Sequence, residues 1–407
     1  MTEPKRLINP ELDRLVQEMN LLAEPAEPEP ADEALPARAG MDAPSLTLVA
    51  DGEPLERLLS EMVRRNASDL LLLPGAPPVL RIDGRLGTLA QPAVDSETVR
   101  MLFASHLGPS ARQALASTGC ADLSLRYGDV GDDEGWRMRV NLQRQRGGLA
   151  AAVRALPRRI PALAELGLPL RLADLTRAAK GLILVCGPTG SGKSTTIAAL
   201  LDAINRSEVR HVITIEDPIE YVHSNRRCII EQVEVGSDSP SFGHALRSAL
   251  RRDPDVILVG EMRDLETIAT AVTAAETGHL ILATLHSSDV GQAVHRIVDV
   301  FPATQQTQIR HQLALSLHAI LCQQLVPRTD GRGRVPAVEL LLATYAVRNT
   351  IRNGAIERLP NEMLTSRGLG MRLLELSLAE LVAAGTITAE EARARAVRPD
   401  ELERLLR

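Results

Sequence analysis

The larger part of this 407-residue chain reads as an α/β fold, a parallel sheet covered by helices on both faces. Three observations lead there. Four apolar runs, GLILVCG from Gly181, HVITIED from His211, DVILVGE from Asp255 and HLILATLH from His279, alternate with helical segments, and strands separated by helices pair in parallel. A glycine-rich stretch, Gly187 to Thr195, stands between the first run and a helical run, which is the local order a phosphate loop requires. Ahead of these, short alternating strands and turns between about Leu46 and Arg154 predict a smaller α+β domain.

In chain order, Leu12, Leu15, Val16, Met19 and Leu22 fall at helical spacing, with Asn9 placed as N-cap and Pro10 at the first helical position. The Pro-, Glu- and Ala-rich segment that follows lacks apolar area and reads as a flexible tether, so residues 1–50 are expected to be an extension carrying one short amphipathic helix. Residues 51–156 hold the small domain: a helix from Pro54 to Asn66, then strands in LLLL (70–73), PGAPPVLRIDGRL and WRMRVNLQRQRGGLAAAVRAL. Pro157 and Pro161 mark a linker over 157–170. The sheet region is placed at 171–345. From about Val335 the chain reads mostly as helices, with a helical region over 346–407 and a capping box from Thr388 to Glu391.

Composition narrows the function. The chain is 44% hydrophobic and 24% charged, ordinary for a globular protein. With 46 basic against 52 acidic residues the net charge is −6, which argues against a dominant nucleic-acid surface. Three Phe, three Tyr and one Trp leave few stacking platforms for single strands, so no nucleic-acid partner is expected. Cys120, Cys186, Cys228 and Cys322 lie far apart without a CxxC pair, so no zinc site is expected. The N-terminus has no apolar signal core, and no run of about 18 apolar residues occurs; a soluble cytoplasmic protein is expected. Lys5, Lys180 and Lys193 are its lysines, which draws attention to Lys193.

GPTGSGKST, Gly187 to Thr195, satisfies GxxxxGK[ST] in full. Gly187, Gly190 and Gly192 let backbone amides converge on phosphate oxygens, with Pro188, Thr189 and Ser191 completing the loop. The helix that opens there adds partial positive charge. Lys193 is placed on the β- and γ-phosphates of ATP, Ser194 offers a hydroxyl to Mg²⁺, and Thr195 closes the motif. The next strand ends in TIEDPIEYVH and delivers Glu216, Asp217 and Glu220 to the sheet's C-terminal edge, beside the loop. Glu216, nearest the strand end, is the expected base for the attacking water. The third strand leads through Val256–Val259 to Gly260 and Glu261, with Glu261 expected to act on Mg²⁺ from one shell out. Asp253 and Asp255 precede the strand and belong to the far edge. His286 follows the fourth strand at the same edge and is a catalytic candidate, placed to sense the γ-phosphate or to tie the sheet to a neighbouring subunit, whereas His279 precedes the strand and is expected to be structural. An added cation helps phosphoryl transfer; Arg137, Arg139, Arg144 and Arg154 stand on the small domain, and Arg139 and Arg154 are the candidates for that role.

Together GPTGSGKSTT, TIEDPIEYVH, LRRDPDVILVGEMRD and AAETGHLILATLHS resemble the Walker A motif, Asp box, atypical Walker B motif and His box of the type II/IV secretion-superfamily ATPases. ASDLLLLPGAPPVLRIDGRL and VNLQRQRGGLAAAVRALP extend the likeness. AVRNTIRNG resembles the C-terminal signature of the PilT-type retraction ATPases of type IV pili. QQLVPR runs through TDGRGR into VPAVELLLA without the tetracysteine insert of the extension and type II secretion branch. Departures are Leu71, where the family usually has His, and Ser287-Ser288-Asp289 after the His box, where Thr-Asn is common. The resemblance spans roughly residues 52–395. It implies a homohexameric ring of subunits, each with a PAS-like N-terminal domain and a RecA-like P-loop ATPase core. Such a ring hydrolyses ATP with Mg²⁺ to power pilus retraction and twitching motility. It implies an inner-membrane pilus platform protein as partner, a cytoplasmic location peripheral to that membrane, and a paralogous pilus ATPase as a further partner. An extension or secretion motor, or an accessory nucleotide-binding paralogue, are the alternatives that share the motif set.

Overall fold

The computed structural model describes residues 54–82, 84–128 and 135–407. The extension and the helix expected from Asn9 to Leu22 lie outside the described residues.

The first sheet has six antiparallel strands, β1 (Asp69–Leu72), β2 (Val79–Ile82), β3 (Arg85–Thr88), β4 (Cys120–Tyr127), β5 (Trp136–Gln145) and β6 (Gly148–Ala155), in the order β3-β2-β1-β6-β5-β4. Helices Pro54–Arg64, Ser96–Phe103 and Pro109–Ser117 accompany it. The first of them buries Leu55, Leu58, Leu59 and Met62 at helical spacing. The second starts where the Asp95 carboxylate accepts the Thr98 N–H at 2.7 Å. Alternation along β5 divides the sheet's faces: Met138, Val140 and Leu142 enter the core with Met62, Phe103 and Val153, while Arg137, Arg139 and Asn141 take the other face.

The second sheet has seven strands, β7 (Gly181–Cys186), β8 (His211–Glu216), β9 (Ile229–Glu234), β10 (Val256–Val259), β11 (Leu280–Leu285), β12 (Leu317–Pro327) and β13 (Arg334–Leu342), in the order β13-β12-β7-β11-β10-β8-β9. The four strands expected from the apolar runs are present and parallel. The expectation of an all-parallel sheet needs correcting, because β13 pairs antiparallel with β12. So does the expectation of mostly helix from Val335. The run VPAVELLL is apolar at neither a clean helical nor a clean strand period, and hairpin pairing through the TDGRGR turn decides it as strand. Successive residues of β7 feed opposite cores: Leu182 and Leu184 join Ile257, Ala271 and Val294, whereas Ile183 and Val185 join Leu200, Ile204 and Leu258. Each such side chain contributes about 1.5–3 kcal/mol by leaving water, which explains why these strands read as unbroken apolar runs.

Helices Tyr345–Arg352, Leu359–Thr365, Leu374–Ala383, Ala389–Arg393 and Pro399–Leu406 follow β13. At the expected capping box the Thr388 hydroxyl accepts the Glu391 N–H at 3.1 Å. The Glu391 carboxylate turns to Arg395, so one half of the box is used. The C-terminal ends of β7, β8, β10 and β11 lie along one sheet edge, where α/β sheets place ligands.

Candidate nucleotide site

The phosphate loop leaves β7 at Gly187 and ends in the helix Lys193–Ser207. Its glycines are required for different reasons. All three have positive φ: +146° at Gly187, +76° at Gly190 and +89° at Gly192. A Cβ at Gly187 would stand 2.3 Å from the Gln323 carbonyl oxygen, and one at Gly192 would stand 3.0 Å from Gln323 Nε2. A Cβ at Gly190 would meet nothing within 4 Å, so that glycine faces open space of the kind a phosphate needs. Pro188, Thr189 and Gly190 are exposed and Ser191 is buried. Lys193 Nζ donates to the carbonyls of Gly187 at 2.8 Å and Pro188 at 3.0 Å, which holds the ammonium over the loop. Burial lowers its pKa and nearby Glu261 opposes the shift. The Thr195 hydroxyl is 2.9 Å from Tyr221 Oη, and Tyr221 borders the cavity beside the loop.

Lys193, Ser194, Glu216, Glu261, Thr284 and His286 line one cavity of about 300 Å³ together with loop residues Thr189 and Gly190. Asp217 and Glu220 also border it. Glu216 ends β8 and is half-buried. Its Oε1 accepts from Thr214 Oγ1 at 2.7 Å and from Gln232 Nε2 at 3.3 Å. Burial pushes its carboxyl above the ordinary range despite those two donors. Glu261 differs. Burial pushes it up too, but the Arg263 guanidinium at 2.6 Å, His286 and Lys193 together hold its carboxyl below the ordinary range. His286 Nε2 stands 3.4 Å from Glu261 Oε1. Burial and then Lys193 lower the His286 pKa, which favours the neutral ring. Two carboxyls on one cavity, one pushed up and one held down, are an arrangement that can serve as a proton acceptor and a permanent anion.

Of the residues singled out from the sequence, the structure brings the loop, Glu216, Glu261 and His286 together. Asp255 sits at the start of β10, where its carboxylate accepts the His211 N–H at 2.8 Å, at the edge away from the loop. His279 Nδ1 is 3.1 Å from the Ala274 carbonyl at a helix end. Arg139 and Arg154 do not line the cavity of their own chain. They are register partners on the open face of the first sheet, with Arg154 Nε 2.8 Å from Asp69 Oδ1 and Arg139 Nη2 3.6 Å from Asp122 Oδ1. Arg137 lies on the same face; burial lowers its pKa, and the carboxylates of Glu234 and Glu216 offset only part of that. Sequence reading passed over Arg263, Thr214, Gln232 and Gln323. Arg263 carried a signal, two residues beyond Glu261 after the same strand. Gln232 and Gln323 carried none, since they come from strands β9 and β12 that the apolar runs did not mark.

The residues fit a nucleotide with its metal: an amide-rich loop with open space at Gly190, an ammonium, the Ser194 hydroxyl and an ionised carboxylate share one cavity. Residues 52–367 match the family described as type II/IV secretion system protein. The chain is 41% identical over 346 residues to the type IV pilus retraction ATPase PilT of Pseudomonas aeruginosa, covering 85% of this chain and 99% of that one. It is 38% identical over 352 residues to the type IV pilus ATPase PilU of the same organism, covering 86% and 91%. The crystal structure of the pilus retraction motor PilT with bound ADP superposes with a TM-score of 0.79 at 46% identity, over 87% of this chain and all of that one.

Proposed function

The chain belongs to the type II/IV secretion system protein family, and from that premise we propose that it hydrolyses ATP to drive retraction of type IV pili. The observation that carries the reading is the likeness, over 87% of the chain, to a retraction motor that holds ADP. The cavity at the C-terminal sheet edge supplies the groups this chemistry asks for.

In the proposed mechanism, the amides of Gly187 to Thr195 and the Lys193 ammonium bind the β- and γ-phosphates. Mg²⁺, held by the Ser194 hydroxyl and from one shell out by Glu261, supplies charge neutralisation when bound. Glu216 takes the proton of the attacking water. Its raised pKa brings it nearer the operating pH, which suits a base. Arg263 keeps Glu261 ionised and oriented, and the neutral His286 ring stands beside that carboxylate. Arg139 and Arg154 lie away from their own cavity, so they act on the nucleotide of a neighbouring subunit in a hexameric ring. Residues 51–156 form the PAS-like domain, 157–170 the linker, 171–345 the RecA-like core and 346–407 the C-terminal helical region. The placement of one sheet within 69–155 and the other within 181–342 supports that division. The ring works in the cytoplasm against an inner-membrane platform protein. Among the described residues no helix is long and apolar enough to cross a membrane.

Mg²⁺-dependent phosphate release by the parent, Lys193→Ala and Glu261→Gln tests the chemistry. Both substitutions should abolish turnover, and parent-like rates in either refute the assigned roles. Deleting the gene and counting surface pili tests the direction: retraction predicts more pili without motility, extension predicts none. The 38% identity to PilU over nearly the whole chain favours one second reading, an accessory ATPase beside a main retraction motor. A deletion that leaves pilus number unchanged while a paralogue is present supports it.

A further inference from the structure

Gln323 lies on β12, 3% exposed. In the sequence it belongs to a stretch with no chemical signature. Its strand pairs with β7 in the register Cys322 opposite Cys186, so residue 323 stands beside the point where β7 gives way to the phosphate loop. Its carboxamide has two partners there. Nε2 donates to the Ser191 carbonyl at 2.6 Å, and Oε1 accepts from the Thr196 hydroxyl at 2.9 Å. Ser191 closes the loop and Thr196 lies in the first turn of the helix. One side chain from a neighbouring strand therefore ties loop to helix across Gly192 and Lys193, the residues whose amides and ammonium must face phosphate. The same residue walls the loop's other side, since its carbonyl forbids a Cβ at Gly187 and its Nε2 crowds one at Gly192.

The orientation of the carboxamide follows from its partners. A backbone carbonyl offers no hydrogen, so Ser191 must face the NH₂ end. The group is also neutral, so it braces the loop without adding charge beside Lys193.

We infer that Gln323 is a positioning residue of the nucleotide site, holding the phosphate loop in its anion-accepting shape from the adjacent strand. The inference rests on the proposed reading of this loop as the nucleotide site. A glutamate of the same shape separates positioning from bulk. As a carboxylate it sets a second acceptor against the Ser191 carbonyl; once protonated it donates to that carbonyl as the amide does. The ionisable side chains nearest it on the elements packed around it are Lys193 from the helix, Cys186 from β7 on one side, Glu339 from β13 on the other, and Cys322 on its own strand. These are common to parent and variant, so the ratio of their affinities isolates residue 323.

The test is a fluorescence titration of the full-length parent, Q323E, Q323M and K193A with N-methylanthraniloyl ADP at about pH 8 and about pH 5.5. At the higher pH Q323E should bind about ten-fold or more weakly than the parent, the loss expected for one broken buried hydrogen bond. At the lower pH the gap should close to within about three-fold. Q323M keeps the wall and loses both hydrogen bonds, so it should bind about ten-fold weakly at both pH values. It carries the test alone if Q323E does not fold. Parent-like binding by Q323M, or a Q323E deficit that does not change with pH, overturns the inference while K193A still fails to bind. Parent-like binding by K193A instead overturns the nucleotide reading itself.

Discussion

Replacing Thr214 by valine keeps a branched side chain at a fully buried position and removes the shorter of the two hydrogen bonds to Glu216, at 2.7 Å. A hydrogen bond to an ionised group contributes about 1.5–3 kcal/mol. The protonated carboxyl keeps part of that bond, so roughly half of it discriminates between the two states. About 1.4 kcal/mol of discrimination is one pH unit. The lost bond stabilised the carboxylate, so its removal adds to the upward push that burial already exerts on Glu216. A base must be ionised to act. The acid limb of kcat/KM against pH, which in the parent should already lie above that of an ordinary glutamate, should therefore move up by about one unit in Thr214→Val. The plateau at higher pH should persist. Steady-state phosphate release with saturating Mg²⁺, measured across the pH range, reads both features. An acid limb that stays in place refutes the assignment of Glu216 as base. A plateau that collapses to the Lys193→Ala level at every pH refutes the claim that Thr214 acts only on its proton.

Other consequences are as direct. Gly187→Ala forces a Cβ to 2.3 Å from the Gln323 carbonyl oxygen at φ +146°, so it should lose nucleotide binding and lower the thermal midpoint. Gly190→Ala meets no protein atom and should cost stability only about 1 kcal/mol while still weakening nucleotide binding. Arg263→Gln breaks the 2.6 Å contact with Glu261 and lets that carboxyl rise toward its ordinary range; the Mg²⁺ concentration for half-maximal turnover should increase several-fold, with the pH optimum shifted upward. Arg398 bridges Glu339 at 3.0 Å and Glu375 at 3.2 Å, two carboxylates exposed by 1% and 0%. Arg398→Ala leaves both buried without their cation and should destabilise the fold by about 3 kcal/mol, read by chemical denaturation. Glu375→Gln in that background should recover part of the loss, because it removes one of the stranded charges.

Much of the site was legible because its chemistry is local. An amide cup is made by consecutive residues, so the order strand, GPTGSGKST, helix already contains it. Glu216, Glu261 and His286 each follow an apolar run, and a buried parallel strand must deliver its next residue to the common edge. The fold class was legible for the same reason, since a strand buried on both faces has no polar period to hide it. What the chain could not declare on its own is whatever depends on a partner far along it. VPAVELLL became a strand through pairing with β12, not through its own period. Arg139 and Arg154 could be placed on the small domain, but the sheet face they occupy is decided by which side the helices cover, and Asp69 and Asp122 occupy them there. Glu216 and Glu261 are the same side chain with opposite shifts, because burial raises both and a guanidinium outweighs it only at Glu261. Gln323 stands more than a hundred residues beyond the loop it braces, and only strand register puts its carboxamide against Ser191. Backbone chemistry between neighbours is written in sequence order. Electrostatic environment and cross-strand bracing are properties of atoms brought together by burial, and the tertiary structure alone decides them.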